Sequence, residues 1–100
     1  MIDRITKNEQ RLDSIMLSIK SLEEALINFK SNKKNIALVN KYYGSNNWFK
    51  DKDAFEKNEI SNVKAGVLSE DAVWNMNEDI NDLITEMKAI IVNYSNKNKY

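Results

Sequence analysis

The segment Tyr42-Tyr43-Gly44-Ser45-Asn46-Asn47-Trp48 decides how this 100-residue chain folds, because it interrupts two long segments that carry a seven-residue apolar repeat. With Gly66-Val67-Leu68-Ser69-Glu70-Asp71 it bounds a thirty-residue stretch that holds both glycines and five of the nine aromatic residues. Glycine marks chain reversals, and the chain has no proline. We therefore predict that the chain turns back on itself between residues 42 and 71.

Before this stretch, apolar side chains recur every seven residues in two sets offset by three. Nine of the twelve positions are apolar: Ile5, Leu12, Ile15, Ile19, Leu22, Leu26, Phe29, Ile36 and Tyr43. This spacing is typical of a helix that packs along one seam against another helix. It predicts one helix over about residues 2–43. The polar run at residues 30–35 leaves open an alternative in which that helix ends near residue 30.

The turn residues predict how the first helix stops and a short one starts. Gly44 follows the last periodic residue, where a left-handed glycine commonly ends a helix. Ser45 is then placed to cap a short helix over about residues 46–56. Residues 57–68 are interpreted as an ordered connector.

A last helix is predicted over about residues 70–94. Ser69 is a strong N-cap residue, and Glu70 and Asp71 supply the negative charge that the helix dipole favours in a first turn. Two heptad sets follow: Val73, Ile80, Met87, Tyr94 and Met76, Leu83, Ile90. Residues 95–100 are expected to fray.

These elements predict an all-α fold, in one domain of residues 1–100. We expect a long antiparallel helical hairpin, coiled-coil-like, with the short helix and the connector at its closed end. Charge supports this pairing, because residues 1–50 carry nine basic and five acidic side chains and residues 51–100 carry six and ten. The first helix would be about 60 Å long and the last about 37 Å. Its start would then project uncovered, with Ile2, Ile5, Leu12 and Ile15, and pair with a second copy or another protein's helix.

Composition argues against several kinds of chemistry. The absence of Cys removes disulfides and thiolate ligands, and the absence of His removes the commonest general base and nitrogen ligand. We predict no enzyme activity and no catalytic, cofactor-binding or metal-binding residues. The acidic face of Asp71, Glu78, Asp82 and Glu86 is interpreted as solvated and paired with lysines. The net charge of zero argues against nucleic acid as the partner of the basic run from Lys30 to Lys41.

The location follows from the same composition. The first residues are charged where a signal peptide needs an apolar run, and no stretch approaches about 20 apolar residues. We expect a cytoplasmic protein that does not engage a membrane.

The aromatic residues near the turn form a second candidate surface. They are interpreted as a small core that holds the short helix, with one face open to a partner. The alternative is a ligand-binding or enzymatic site lined by Tyr43, Trp48, Trp74 and Asp71. The candidate interaction surface comprises Tyr42, Tyr43, Trp48, Phe49, Trp74, Ile2, Ile5 and Leu12.

Two motifs carry a family resemblance. The first is Tyr42-Tyr43-Gly44-Ser45 followed by Trp48 and Asp51, and the second is Lys64 and Gly66-Val67-Leu68-Ser69-Glu70-Asp71 followed by Trp74. They resemble motifs of the bacterial family catalogued as domain of unknown function 4298. The resemblance implies a small helical protein of bacterial, cytoplasmic origin, and it implies no particular activity. The connector departs from the family pattern, with no Pro and with Ala65 where Arg is usual, so any contact of that Arg is absent here. We predict a non-enzymatic module for protein–protein interaction or assembly.

Overall fold

The computed structural model describes the backbone of residues 1–97 and the side chains through residue 95. Its helices are α1 (Ile2–Ser31), α2 (Lys33–Tyr42), α3 (Asn46–Glu56), a 3₁₀ helix (Gly66–Leu68) and α4 (Glu70–Lys97). No strand occurs among these residues. The all-α fold class is therefore confirmed, and it follows from a chain with two Gly and no Pro.

The predicted continuous helix over residues 2–43 is interrupted at Asn32. The Asn32 amide donates three residues back, to the carbonyl of Phe29 at 3.1 Å. Ser31 Oγ and Asn32 Nδ2 both donate to the carbonyl of Asn28, at 2.7 and 3.1 Å. Ser and Asn side chains compete in this way with the backbone for helical acceptors, which explains the break.

The chain divides into two units, Met1–Ala37 and the described residues from Leu38 onward. Every residue from Met1 to Asn35 is exposed. The second unit contains the buried core, which consists of Trp48 and Val73 among the described side chains. The length of α1 fits a hairpin, and the pairing of the two long helices stays a prediction.

Local caps shape the second unit as the sequence predicts. Gly44 has a φ of +75°, which confirms the left-handed glycine after α2. Ser45 Oγ accepts from the Trp48 amide at 3.2 Å and caps α3. Ser69 Oγ accepts from the Asp71 amide at 3.2 Å and caps α4. Each of these contacts joins residues two or three apart, so each could be predicted from local sequence.

The end of α3 carries a cap that was not predicted. Asn58 has a φ of +59°, and its amide donates to the carbonyl of Phe55 at 3.1 Å. The amide of Glu59 donates to the carbonyl of Ala54 at 2.9 Å. These two bonds form a Schellman motif with Asn in place of the usual Gly. Asn58, two residues after the end of the helix, was the available sequence signal.

The last helix continues three residues into the segment that was expected to fray, and residues 98–100 lie outside the described part of the chain. Within residues 1–97, no helix combines the length and the apolar character that a membrane crossing requires.

Candidate interaction surfaces

Trp48 lies at the centre of the second unit. Its side chain is 4% exposed, and its indole Nε1–H donates to the carbonyl of Val67 at 3.0 Å. The rings of Tyr43 and Phe49 meet it edge-to-face, with centroids 5.1 and 5.0 Å away. Such contacts add to the free energy gained by burying a large ring. An aromatic mini-core therefore forms around Trp48.

Tyr43 and Lys52 connect this mini-core to the start of α4. The Tyr43 hydroxyl donates to the backbone carbonyl of Glu70 at 2.6 Å. Lys52 Nζ donates to Glu70 Oε1 at 2.7 Å and lies 5.3 Å from the centroid of the Trp48 ring. The hydrogen bond between them lowers the pKa of Glu70 and raises the pKa of Lys52. One lysine thus contacts both the first turn of α4 and the buried tryptophan.

Tyr42 connects the end of α2 to α3. Its hydroxyl donates to Asp51 Oδ2 at 2.6 Å. This hydrogen bond is the largest cause that raises the pKa of Tyr42 to about 12, ahead of burial and of the negative charge on Asp51. We call Tyr42, Tyr43, Trp48, Asp51, Lys52 and Glu70 the closure cluster, because their contacts hold α2, α3 and α4 together where the chain reverses.

A pair of amides extends this connection beyond the closure cluster. Asn77 Nδ2 donates to Asn40 Oδ1 at 2.8 Å, and Asn40 Nδ2 donates back to Asn77 Oδ1 at 3.2 Å. Asn77 Nδ2 also lies 3.1 Å from the carbonyl of Val73. Asn40 is one of the polar positions in the heptad pattern, and here its amide specifies how α2 meets α4.

Two of the predicted surface residues stay open to solvent. Phe49 is 59% exposed although its ring edge contacts Trp48, and Trp74 is 60% exposed on α4. The predicted ligand site comprises Tyr43, Trp48, Trp74 and Asp71. Its Trp48 side chain is buried and its indole N–H is already hydrogen-bonded, so Trp48 is not accessible to a ligand.

A shallow cavity lies next to the closure cluster. It has a volume of about 180 Å³ and is lined by Tyr42, Asp51 and Phe55 with apolar connector residues that include Ile60 and Val63. Its polar groups are few, and the Tyr42 hydroxyl among them already bonds Asp51.

The exposed apolar residues of α1 form the other candidate surface. Seven of them repeat at heptad spacing, and we call them the heptad face: Ile5, Leu12, Ile15, Ile19, Leu22, Leu26 and Phe29. Ile2 is exposed as well. Uncovered apolar positions were predicted only for about residues 2–15, but exposure continues to Phe29. The uncovered surface is therefore about twice as long as expected.

The acidic side chains along α4 do not come together into a single cluster. Asp71, Glu78, Asp82 and Glu86 are all exposed along α4. Among the described residues, no three acidic side chains come close enough together to hold a metal ion. These carboxylates remain a solvated face.

Sequence reasoning missed Lys52, and it identified Asp51 only as a motif residue, without its partner Tyr42. Asp51 and Lys52 project from α3 toward residues of α2 and α4, which are 9 and 18 positions away in the chain. No local pattern marks such partners, because the contact exists only after the chain reverses.

Comparisons with known proteins agree with the two motifs. No curated protein and no solved structure matches the chain. A family model described as Domain of unknown function (DUF4298) matches residues 5–90. That match covers both motifs, the closure cluster and the heptad face, so the chain belongs to this family.

Proposed function

We propose that this protein is a non-enzymatic interaction module that assembles with another helix through the heptad face of α1. The observation that carries the proposal is the exposure of all seven heptad residues, from Ile5 to Phe29. They extend over about 36 Å at 1.5 Å per residue. Contiguous apolar surface of this kind usually marks a site of protein–protein contact.

The energetics of isolated helices support the same proposal. A helix in a protein gains most of its stability by packing its apolar face against another element. The intrinsic helix propensity of its residues makes an isolated helix only marginally stable in water. Asp3 in the first turn and Lys30 in the last turn complement the dipole of α1, but such terms contribute only tenths of a kcal/mol each. A partner that buries the heptad face would supply the missing stabilisation.

The closure cluster supports a structural reading of the motif residues. Tyr42, Tyr43 and Trp48 each donate their polar hydrogen to a group of the same unit. The chain has no His or Cys. Side chains already bonded in this way are poor candidates for acid–base or nucleophilic chemistry. We also propose a cytoplasmic location, which the charged, Cys-free composition supports.

A small-ligand site is the second candidate, and the cavity beside Tyr42 and Asp51 is the observation that favours it. Its volume is about 180 Å³. Pockets for small molecules commonly measure about 300–1,000 Å³. The cavity is therefore small for a ligand, and we place this function second.

Paired substitutions on α1 test the proposal. Leu12→Asp puts a carboxylate on the heptad face, whereas Leu17→Asp puts one on a different face of the same helix, where Leu17 is 68% exposed. Each full-length variant and the wild type would be used for affinity capture from cells of the source organism, and their masses would be measured by light scattering. We expect Leu12→Asp to lose its assembly or its captured proteins and Leu17→Asp to keep them. Equal behaviour of the two variants would contradict the proposal.

A further inference from the structure

We propose that the helix covering the heptad face is α1 of a second copy, packed parallel and in register. This inference rests on the proposed function and names its partner. Three observations support it: the length of the surface, the position of one asparagine, and the charges that flank the face.

Length is the first observation. The covering helix must present apolar residues over about 36 Å, from Ile5 to Phe29. On α4, the heptad residues Val73, Met76 and Ile80 are buried or half-buried in the second unit. Its exposed heptad residues, from Leu83 to Tyr94, extend over only about 17 Å. Within the described chain, α1 itself is the one helix with a seam of the required length. The α1 helix of a second copy therefore presents an apolar seam of the same length as the surface that it would cover.

Asn8 is the second observation, because it is the single polar residue at a heptad position of α1. Its Nδ2 donates to the carbonyl of Arg4 at 2.8 Å, and its Oδ1 accepts from Arg11 Nη1 at 3.1 Å. An amide has two donor hydrogens and two acceptor lone pairs, so one of each remains for another contact. Parallel in-register packing places Asn8 opposite Asn8 of the second copy, where the two amides can bond each other.

Antiparallel packing within α1 places Asn8 opposite a residue that cannot hydrogen-bond with its amide. An antiparallel alignment contained within α1 places Asn8 opposite Leu26, which leaves an amide against an apolar residue. Shifting that alignment by one heptad places Asn8 opposite Lys33 instead. Lys33 lies beyond the interruption at Asn32, so this alignment needs a straight seam where the helix is broken. The parallel arrangement needs α1 alone.

Charge is the third observation. Arg4 directly precedes Ile5, and Glu9 directly follows Asn8, so they flank the heptad face on opposite edges. In a parallel pair of helices, a residue on the first edge meets the residue five positions later on the partner. Arg4 of each copy then meets Glu9 of the other. The three ion pairs described within residues 1–97 all lie in the second unit. Arg4 and Glu9 take part in none of them and are available to pair between copies.

Disulfide trapping in the full chain tests the direction of packing, because the chain contains no native Cys. In the parallel dimer the two residues at position 5 are adjacent, whereas in an antiparallel dimer contained within α1 they are about 36 Å apart. We expect Ile5→Cys to oxidise rapidly to a covalent dimer and Leu17→Cys, off the heptad face, to do so only slowly. Equal oxidation rates for the two variants would overturn the proposal.

A charge exchange tests the register. Arg4→Glu places like charges together at two symmetry-related contacts, and we expect the dimer to dissociate about tenfold more readily at low salt. Arg4→Glu combined with Glu9→Arg restores opposite charges and should restore dimerisation. These residues are five apart on one helix and do not face each other within a copy. A double variant no better than the single variant would overturn the proposed register.

Solution mass separates this inference from the proposed function. Dimerisation predicts a mass of about 23 kDa by light scattering, twice the 11.6 kDa of one chain. A mass of one chain up to millimolar concentration would overturn self-pairing. If proteins were then still captured by the wild type and lost with Leu12→Asp, the interaction function would stand with a different partner. If neither assembly nor capture occurred, both would fail.

Discussion

The closure cluster and the heptad face both contain large hydrophobic side chains, but these side chains are buried to very different extents. Around Trp48, rings, hydroxyls and an ion pair contact one another across three helices. Along α1, apolar residues repeat at heptad spacing from Ile5 to Phe29, and none of them is buried. The specific motif residues therefore explain how the chain reverses. The less specific repeat is what remains available to a partner.

Removing the buried tryptophan should destabilise the second unit more than any other single change proposed here. We expect Trp48→Ala to destabilise the second unit by about 3–5 kcal/mol, because a large buried ring and its bond to Val67 are both lost. Small domains are stable by only about 5–15 kcal/mol, so cooperative unfolding of this unit would nearly disappear. Urea denaturation followed by circular dichroism measures the change.

Phe49→Ala is the matched control, because Phe49 is the next residue along α3 and is mostly exposed. It should cost less than about 1 kcal/mol. Similar losses from the two variants would contradict the assignment of Trp48 as the centre of the unit.

The stability of the closure cluster should depend on pH, because the hydrogen bond to Asp51 raises the pKa of Tyr42 to about 12 from an ordinary 10.0. The folded state retains this proton where the unfolded state has lost it. The contribution is thus fully present below pH 10 and is lost as pH rises from 10 to 12. We expect about 1–2 kcal/mol, reduced by partial exposure of the ring.

Ultraviolet absorbance of tyrosinate and urea midpoints between pH 9 and 12 measure this effect. Asp51→Ala removes both the hydrogen-bond acceptor and the negative charge, so the pKa of Tyr42 should fall toward 10. Tyr42→Phe should abolish this part of the pH dependence. The hydrogen bond would be refuted by a late-titrating tyrosine that persists in Tyr42→Phe.

The smallest expected effect concerns the interruption of the first helix. Asn32→Ala removes the side-chain bond to Asn28 and adds about 0.5 kcal/mol of helix propensity. We expect carbonyl chemical shifts at residue 32 to become helical. Asn28→Ala, inside α1, gains the same propensity without removing that bond and should leave the break in place. If both variants close the break equally, propensity alone explains it.

The outcomes show which parts of the fold local sequence can predict. Gly44, Ser45 and Ser69 act on residues within three positions, so their conformations follow from residue type. The sequence does not decide the break at Asn32, because the heptad phase favours a continuous helix and the side-chain hydrogen bonds oppose it only weakly.

The partners of the turn residues could not be predicted in the same way. Tyr43 bonds a carbonyl 27 residues away, and Lys52 bonds a carboxylate 18 residues away. The heptad pattern predicts that α1 packs against a helix, but it does not say which one. The sequence therefore predicted the type of surface on α1 and underestimated its length.

Amide hydrogen exchange of α1 at several protein concentrations tests whether another molecule covers the heptad face while the closure cluster is complete in one chain. We predict that protection of the amides from Ile5 to Phe29 rises about tenfold or more with concentration, while protection of the Trp48 indole N–H stays constant. Strong protection of α1 that is independent of concentration would show that its own chain covers the face, and would contradict the account.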